Sequence, residues 1–461
     1  MSRLDTGKGS TFRFVCGIAL AVVVALAVAY WLFVASLQKT VDQRLAQLRA
    51  KGLPTEWAQV IPPPVPDKDN AAILYQQAFD KFQGSRFFHD GYTLGKFVKG
   101  RAPGTRRKLA AEVQEILARN QAALDLVRAA ADKPRCWFRL WNNASNPEGI
   151  LFGHGASMRQ CARLLSAEAL IRSERGDTAG TVASCRTGLK LAAHAGAEPT
   201  LNGFLGRIIL SIDTYQAIQQ MIEEQALDPR ACRDLFYALG ESDVGGGIQK
   251  ALGSELVSGR WLSFEEVDRL PRKAAYSDVV SLGVARNRRL KALAALYVSP
   301  LGKPLHLLDK IAYLDSLGEE LPLAKKPYRE SEPGYRELKR KLADLPSYCF
   351  IARGDPSDCD RFVVARDRIT AMRDAMRVAL ALEAYHRKHG AYPDSLAALH
   401  ADPGWKLPQD PFTGKDFGYG RQGDGFVLYS WGEDLDDDKG RPARPGAGIG
   451  GDGDMVWTFA R

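Results

Sequence analysis

Few of the residues that usually carry chemistry are present in this 461-residue chain, which holds seven cysteines, seven histidines and six methionines. No Cys-x-x-Cys pair occurs, which argues against zinc-ribbon and thioredoxin-like sites. There is no His-Glu-x-x-His, no Gly-x-Ser-x-Gly elbow, no P-loop and no dinucleotide glycine fingerprint. A net charge of +9 is slight over this length and excludes a nucleic-acid-binding composition. With 45% hydrophobic and 25% charged residues the chain is not wholly disordered. Its length suggests about two to four domains.

What stands out first is one apolar run. Phe14 to Gln38 is 25 residues without a charge, centred on Ile18-Ala-Leu-Ala-Val-Val-Val-Ala-Leu-Ala-Val-Ala-Tyr-Trp-Leu-Phe-Val34. As a helix it would reach about 38 Å, against a hydrocarbon thickness of about 30 Å. Tyr30, Trp31 and Phe33 stand where an interfacial aromatic belt belongs. The core is longer than a signal peptide's, although Val34-Ala-Ser36 is a faint cleavage site. Arg3, Lys8 and Arg13 before the run and Lys39, Arg44, Arg49 and Lys51 after it leave orientation open. A single-span anchor over 14–38 is expected, after an N-terminal tail, 1–13.

Thr40 to Lys51 continues in helical pattern through Val41, Leu45 and Leu48, and Ile61-Pro-Pro-Pro-Val-Pro66 breaks it. Residues 39–69 thus form a helical stalk and proline-rich spacer. An α-helical body over 70–324 follows. Asn142, Asn143, Asn146-Pro147 and Gly149 mark a loop within it. Its clearest unit is Met158 to His194, turning at Gly176-Asp177. The unit weakly resembles one tetratricopeptide helix pair, without a second copy, so an ordinary helical hairpin is the simpler account. Asp228-Pro229 should start another helix, and shorter ones are expected around 264–270, 285–297 and 305–317. The charged, proline-punctuated 325–360 reads as a linker.

The last hundred residues carry the most information. Phe362, Ala365, Ile369, Met372, Met376 and Ala379 form a helical stripe that ends at Gly390 and Pro393. After turn signals at Leu407-Pro-Gln-Asp-Pro411 come strands at Phe417–Gly420, Phe426–Ser430 and Met455–Phe459, the first two joined by a tight turn at Asp424-Gly425. An acidic, glycine-rich loop of about 24 residues separates the last two strands, long enough to be functional or disordered. Between Glu433 and Asp454, seven acids against three bases leave a net charge of −4.

This order of features resembles the globular part of type II secretion major pseudopilins. The matching residues are Ala381-Leu-Glu-Ala-Tyr385, Gly390-Ala-Tyr-Pro393, Leu407-Pro-Gln-Asp-Pro411, Leu428-Tyr-Ser-Trp-Gly432 with Asp434, and Gly453-Asp454. The resemblance covers 361–461. It implies a helix on a small antiparallel sheet, and calcium in the acidic loop. On that resemblance the ligands would be Asp434 and Asp454, then Asp452 and the Trp431 carbonyl. A solvated acidic loop is the alternative. Pseudopilins place this head directly after their anchor helix, whereas here over 300 residues intervene. Phe14 also stands where their processing site has Glu. The overall layout, including Asn70-Ala-Ala-x-x-Tyr75 after the spacer, looks like that of membrane-anchored bacterial envelope proteins.

Other features carry less. Cys349 and Cys359 could close a disulfide or stay separate thiols. His386 and His389 are expected to face solvent, and His154, between Gly153 and Gly155, is the one loop histidine with a permissive backbone. Arg106-Arg107-Lys108 and Arg286, Arg288, Arg289 and Lys291 read as solvated helix faces, open to anionic lipid or acidic polymer.

The expectation is a mainly α fold: an N-terminal transmembrane helix, a helical body, and an α+β pseudopilin-like head at 361–461 with three antiparallel strands. The expected role is a non-enzymatic scaffold on the bacterial inner membrane. Its body would be periplasmic, contacting a protein partner rather than nucleic acid. The alternatives are an envelope hydrolase, favoured by a pocket with converging carboxylates or His154, and an accessory component of a type II secretion or pilus-like system.

Overall fold

A computed structural model describes residues 6–56, 59–82, 84, 86–100, 104–138, 153–242, 245, 247–258, 264, 267–281, 287–354, 360–444 and 451–460. The chain is mainly helical, begins with a long apolar helix and ends in a three-stranded antiparallel sheet. In order the helices are α1 (Thr6–Ala50), α2 (Ala71–Phe79), α3 (Phe87–Lys99), α4 (Thr105–Arg119), α5 (Gln121–Ala131), α6 (Gly155–Glu174), α7 (Thr178–Ala195), α8 (Leu201–Glu223), α9 (Pro229–Glu241), α10 (Ile248–Ser258), α11 (Arg272–Ser281), α12 (Arg288–Tyr297), α13 (Lys303–Leu323), α14 (Tyr328–Ala343), α15 (Arg361–His389) and α16 (Ala397–His400). The strands are β1 (Gly418–Gln422), β2 (Gly425–Ser430) and β3 (Met455–Phe459). The loop read at Asn142–Gly149, and Cys359 and Arg286, lie outside the described residues.

Two compact units share the chain: one of residues 1–55, 259–320 and 337–356, the other of 56–258, 321–336 and 357–461. The first holds α1, the one helix among the described residues long and apolar enough to cross a membrane. Residues 14–29 are exposed all round, as lipid-facing residues would be, while Val41 and Leu48 further along are buried. In the same unit Val279, Ala294, Tyr297 and Phe350 form a core. Beneath it lies a fully buried carboxylate, Asp309. It accepts the Tyr297 hydroxyl (2.8 Å) and the N–H groups of Ile351 (3.0 Å) and Ala352 (2.8 Å).

The second unit contains the hairpin foreseen at 158–194. α6 and α7 lie together, Gly176 turns the chain with φ +75°, and Asp177 caps α7 through the Gly180 N–H. α8 packs on both. Asp228 caps α9, accepting from Ala231 N–H at 2.7 Å, with Pro229 at the first helical position.

Three expectations need correction. Residues 325–360 are not a plain linker, since they contain α14. Its Pro333 removes one helical hydrogen bond, but Tyr335, Leu338 and Leu342 are buried and Arg336 and Arg340 pair with Glu332 and Glu337. Arg106 is not part of a solvated face: it is buried, paired with Glu174 and Glu224, and lies 5.1 Å from the Phe97 ring. The stripe on α15 widens, for residues 374–376 and 378–384 are all buried. The helix runs between α8 and α9 on the body and β2 of the sheet, so both its sides are covered. The head is therefore built into the second unit through its own helix.

In the sheet, β2 lies between β1 and β3, with Tyr419 opposite Leu428 and Leu428 opposite Trp457. The hairpin turn falls on Gly423-Asp424, one residue earlier than expected. Gly423 supplies the left-handed φ of +60°, and Gly425 joins β2, where a Cβ would meet the Phe459 carbonyl at 2.0 Å. Phe426 and Phe459 stack at 4.5 Å, with Tyr392 edge-on to Phe426 at 4.7 Å. The Tyr392 hydroxyl donates to the fully buried Glu383 of α15 (2.9 Å), which also accepts from Arg387 (3.0 Å), so the helix end is tied to the chain that follows it.

Burial pushes the Asp309 carboxyl up to about 6, against the pull of its three donors. The folded protein then keeps this proton at pH values where the unfolded chain has lost it. Stability of the first unit should be greatest below about pH 4, fall through about pH 6, and level off, a loss of about 3 kcal/mol. Hydrogen exchange at the Ile351 and Ala352 amides measures it, and Asp309→Asn should remove the pH dependence.

Candidate metal centre

The ends of the acidic loop are fixed, because Ser430 and Met455 pair across β2 and β3. Ser430 also donates its hydroxyl to Asp410 at 2.7 Å, so the Leu407-Pro-Gln-Asp-Pro411 turn braces the same corner. Burial raises the Asp410 carboxyl, opposed by the Ser430 hydroxyl, the Phe412 N–H, the Thr413 hydroxyl and the Trp431 N–H. Gly432 leaves the strand at φ +76°, and Leu435 and Lys439 also take left-handed conformations (φ +60° and +55°), which winds the loop tightly.

Asp454 shapes the interior. It is buried, and its carboxylate accepts the N–H groups of Gly440 (2.6 Å) and Asp438 (3.4 Å). Its own N–H donates to the Arg441 carbonyl at 2.8 Å. Burial raises its carboxyl; the two amides oppose this, and Asp437 and Asp438 add to it. Gly453 lies at φ +128° with Ala443 N only 2.5 Å from where a Cβ would stand, so glycine is required there. Its N–H donates to Asp434 at 2.8 Å, which draws Asp434 toward the β3 end of the loop.

These contacts bring Asp434, Asp438 and Asp452 together, one carboxylate oxygen of each lying within 4.8 Å of the others. The side chain of Asp438 is only 11% exposed. One of its oxygens meets Arg441, while the other, Oδ2, is buried without a hydrogen-bond partner. Arg441 reaches on to Asp452 at 3.1 Å. Three carboxylates and one guanidinium leave a formal charge of −2. The donor set is all oxygen and its charge matches one hard divalent cation. The orphaned Asp438 oxygen is the acceptor such an ion would satisfy.

Of the residues named from sequence, Asp434 and Asp452 enter this group. Asp454 stands behind it, its carboxylate used on backbone amides. Trp431 lies at the loop entrance, its ring 5.7 Å from Lys415 Nζ. Asp438 was passed over. Its spacing with Asp434 was visible, but the partner from the far end of the loop was Asp452, which no local pattern announces. Asp436 and Asp437 are exposed and cap their own turns, accepting from Asp437 and Lys439 N–H.

His386 and His389 lie on aromatic rings, those of Tyr392 (4.6 Å) and Tyr385 (4.2 Å). Cys349 is a buried thiol, raised to about 12 chiefly by burial. Comparison of the chain with protein-family models, curated proteins and solved structures finds no match.

Asp454→Asn replaces half of a buried acceptor with a donor facing two N–H groups. It should loosen the loop by about 1–3 kcal/mol, seen as faster hydrogen exchange at Gly440 and Asp438 while β1 and β2 keep their protection.

Proposed function

We propose that this chain is a single-pass membrane-anchored scaffold of the bacterial envelope, with its body outside the cytoplasm and a calcium ion held in the head by Asp434, Asp438 and Asp452. The carrying observation is the buried, unpartnered Asp438 oxygen at the meeting point of three carboxylates. An oxygen-only donor set favours calcium over zinc or copper, which take nitrogen and sulfur. The resemblance to pseudopilin heads supports the same ion, and the helix on an antiparallel sheet at 361–459 agrees with that resemblance. Placement outside the cytoplasm rests on the resemblance and on α1, whose length and composition suit an anchor. Arg441, whose side chain is 58% exposed, can swing outward as the ion enters.

One observation favours a second reading, an envelope hydrolase. His154 Nε2 lies 3.2 Å from Glu198 Oε1, both side chains buried, the arrangement of a base and its orienting carboxylate. With no nucleophile or substrate assigned to the pair, the scaffold stands first.

Titration calorimetry of the full-length protein in detergent with calcium chloride tests the proposal. One site with a Kd of about 0.1–1 mM or tighter is expected, and Asp438→Asn should weaken it at least tenfold while the fold is kept. Absence of heat at 10 mM calcium would remove the metal from the account. Alkaline phosphatase fused after Arg461 should be active in cells, and an inactive fusion would place the body in the cytoplasm.

A further inference from the structure

The Asn70-Ala-Ala-x-x-Tyr75 stretch takes no part in the metal centre, yet its polar groups are all spent on one task. Asn70 is buried. Its Oδ1 caps α2 through the Ala72 N–H (3.1 Å) and accepts the Trp137 N–H (2.9 Å), while its Nδ2 donates to the Trp137 carbonyl (2.9 Å). Ala71 N–H donates to the Arg135 carbonyl at 2.8 Å. The Tyr75 hydroxyl meets His194 Nδ1 at 2.9 Å, and His194 Nε2 meets the Lys133 carbonyl at 3.1 Å. The motif thus clamps the backbone of 133–137 at three points and fixes Trp137.

Trp137 is only 6% exposed, and its Nε1–H is buried without an acceptor. Such a donor costs about 1–3 kcal/mol, and buried indoles ordinarily find a partner. The indole stands between two cavities of about 820 and 540 Å³. In the larger, Gly153, His154 and Ser157 present the start of α6, a 20-residue helix. The His154 side chain does not cap that helix; it lies flat on Phe138 at 3.8 Å and pairs with Glu198. A helix N-terminus offers N–H groups and positive potential to an oxyanion. The orphaned indole N–H is a second, independent donor wanting the same thing.

The rest of the larger cavity selects the ligand. Ile73, Phe79 and Phe138 give it apolar walls, and its volume suits a small organic molecule. Among the described residues lining it there is no lysine or arginine. A doubly charged phosphate would lack its usual cationic partners, whereas a singly charged carboxylate needs only neutral donors and a helix end.

We propose that the cavity between α2 and the start of α6 binds a carboxylate with an apolar body, its oxygens taken by Trp137 Nε1–H and the first turn of α6 and its body by Phe79 and Phe138. The site is independent of the metal centre and of the side of the membrane on which the body lies.

Titration calorimetry of the full-length protein with 3-phenylpropionate, its amide 3-phenylpropionamide, and inorganic phosphate decides the matter. The carboxylate should bind, the amide at least tenfold more weakly, and phosphate not in preference to it. Trp137→Phe keeps a ring in place and loses the N–H; it should weaken the carboxylate at least tenfold without changing the amide. No binding of the carboxylate, equal binding of acid and amide, preference for phosphate, or undiminished binding by a folded Trp137→Phe variant would each overturn the proposal. Should that variant not fold, the comparison of acid with amide on the natural protein decides alone.

Discussion

A loop carrying seven acids is held shut at both ends by the pairing of Ser430 with Met455, and the C-terminal head depends on how that charge is accommodated. Free chain would spread its carboxylates into water. Here the strands forbid it, and the Asp454 carboxylate pulls the middle of the loop inward through two amides. The remaining carboxylates then face one another instead of solvent. Arg441 relieves part of the repulsion, and a buried Asp438 oxygen is left over. A divalent ion completes the balance that the fold has set up.

The same economy of shared parts governs the rest of the second unit. α15 is the wall of the sheet and also a core helix of the helical body. Glu383, with no exposed surface, ties its last turn to Tyr392 and so to Phe426 of β2. A buried carboxylate is costly unless its oxygens are taken, so Glu383 makes the join between helix and sheet strict. Loss of helix packing on the body side would be felt at the sheet, which explains why the head does not stand as a unit apart.

Local signals carried much of this into the sequence. The anchor was legible because an uncharged run of 25 residues has few other uses. The α6–α7 hairpin, the Asp228-Pro229 start of α9 and the strands β2 and β3 were legible because caps, turns and alternation act over a few residues. What escaped was decided by burial from afar. α14 hid behind its charges and Pro333, Arg106 behind its basic neighbours, and the two-sided burial of α15 behind a stripe that looked one-sided. At the metal centre the right loop was visible, but the division of labour between Asp454 and Asp438 depends on which carboxylate the backbone amides claim. The contacts among Asn70, Trp137, His154 and Glu198 join four separate segments, and no spacing in one of them points to the others.

Terbium luminescence examines the loop most directly, since Trp431 and Tyr429 flank the carboxylates and can sensitise an ion bound among them. The account predicts sensitised emission from the full-length protein that calcium displaces and Asp438→Asn abolishes. Emission that is absent, or that persists unchanged in Asp438→Asn, would contradict it.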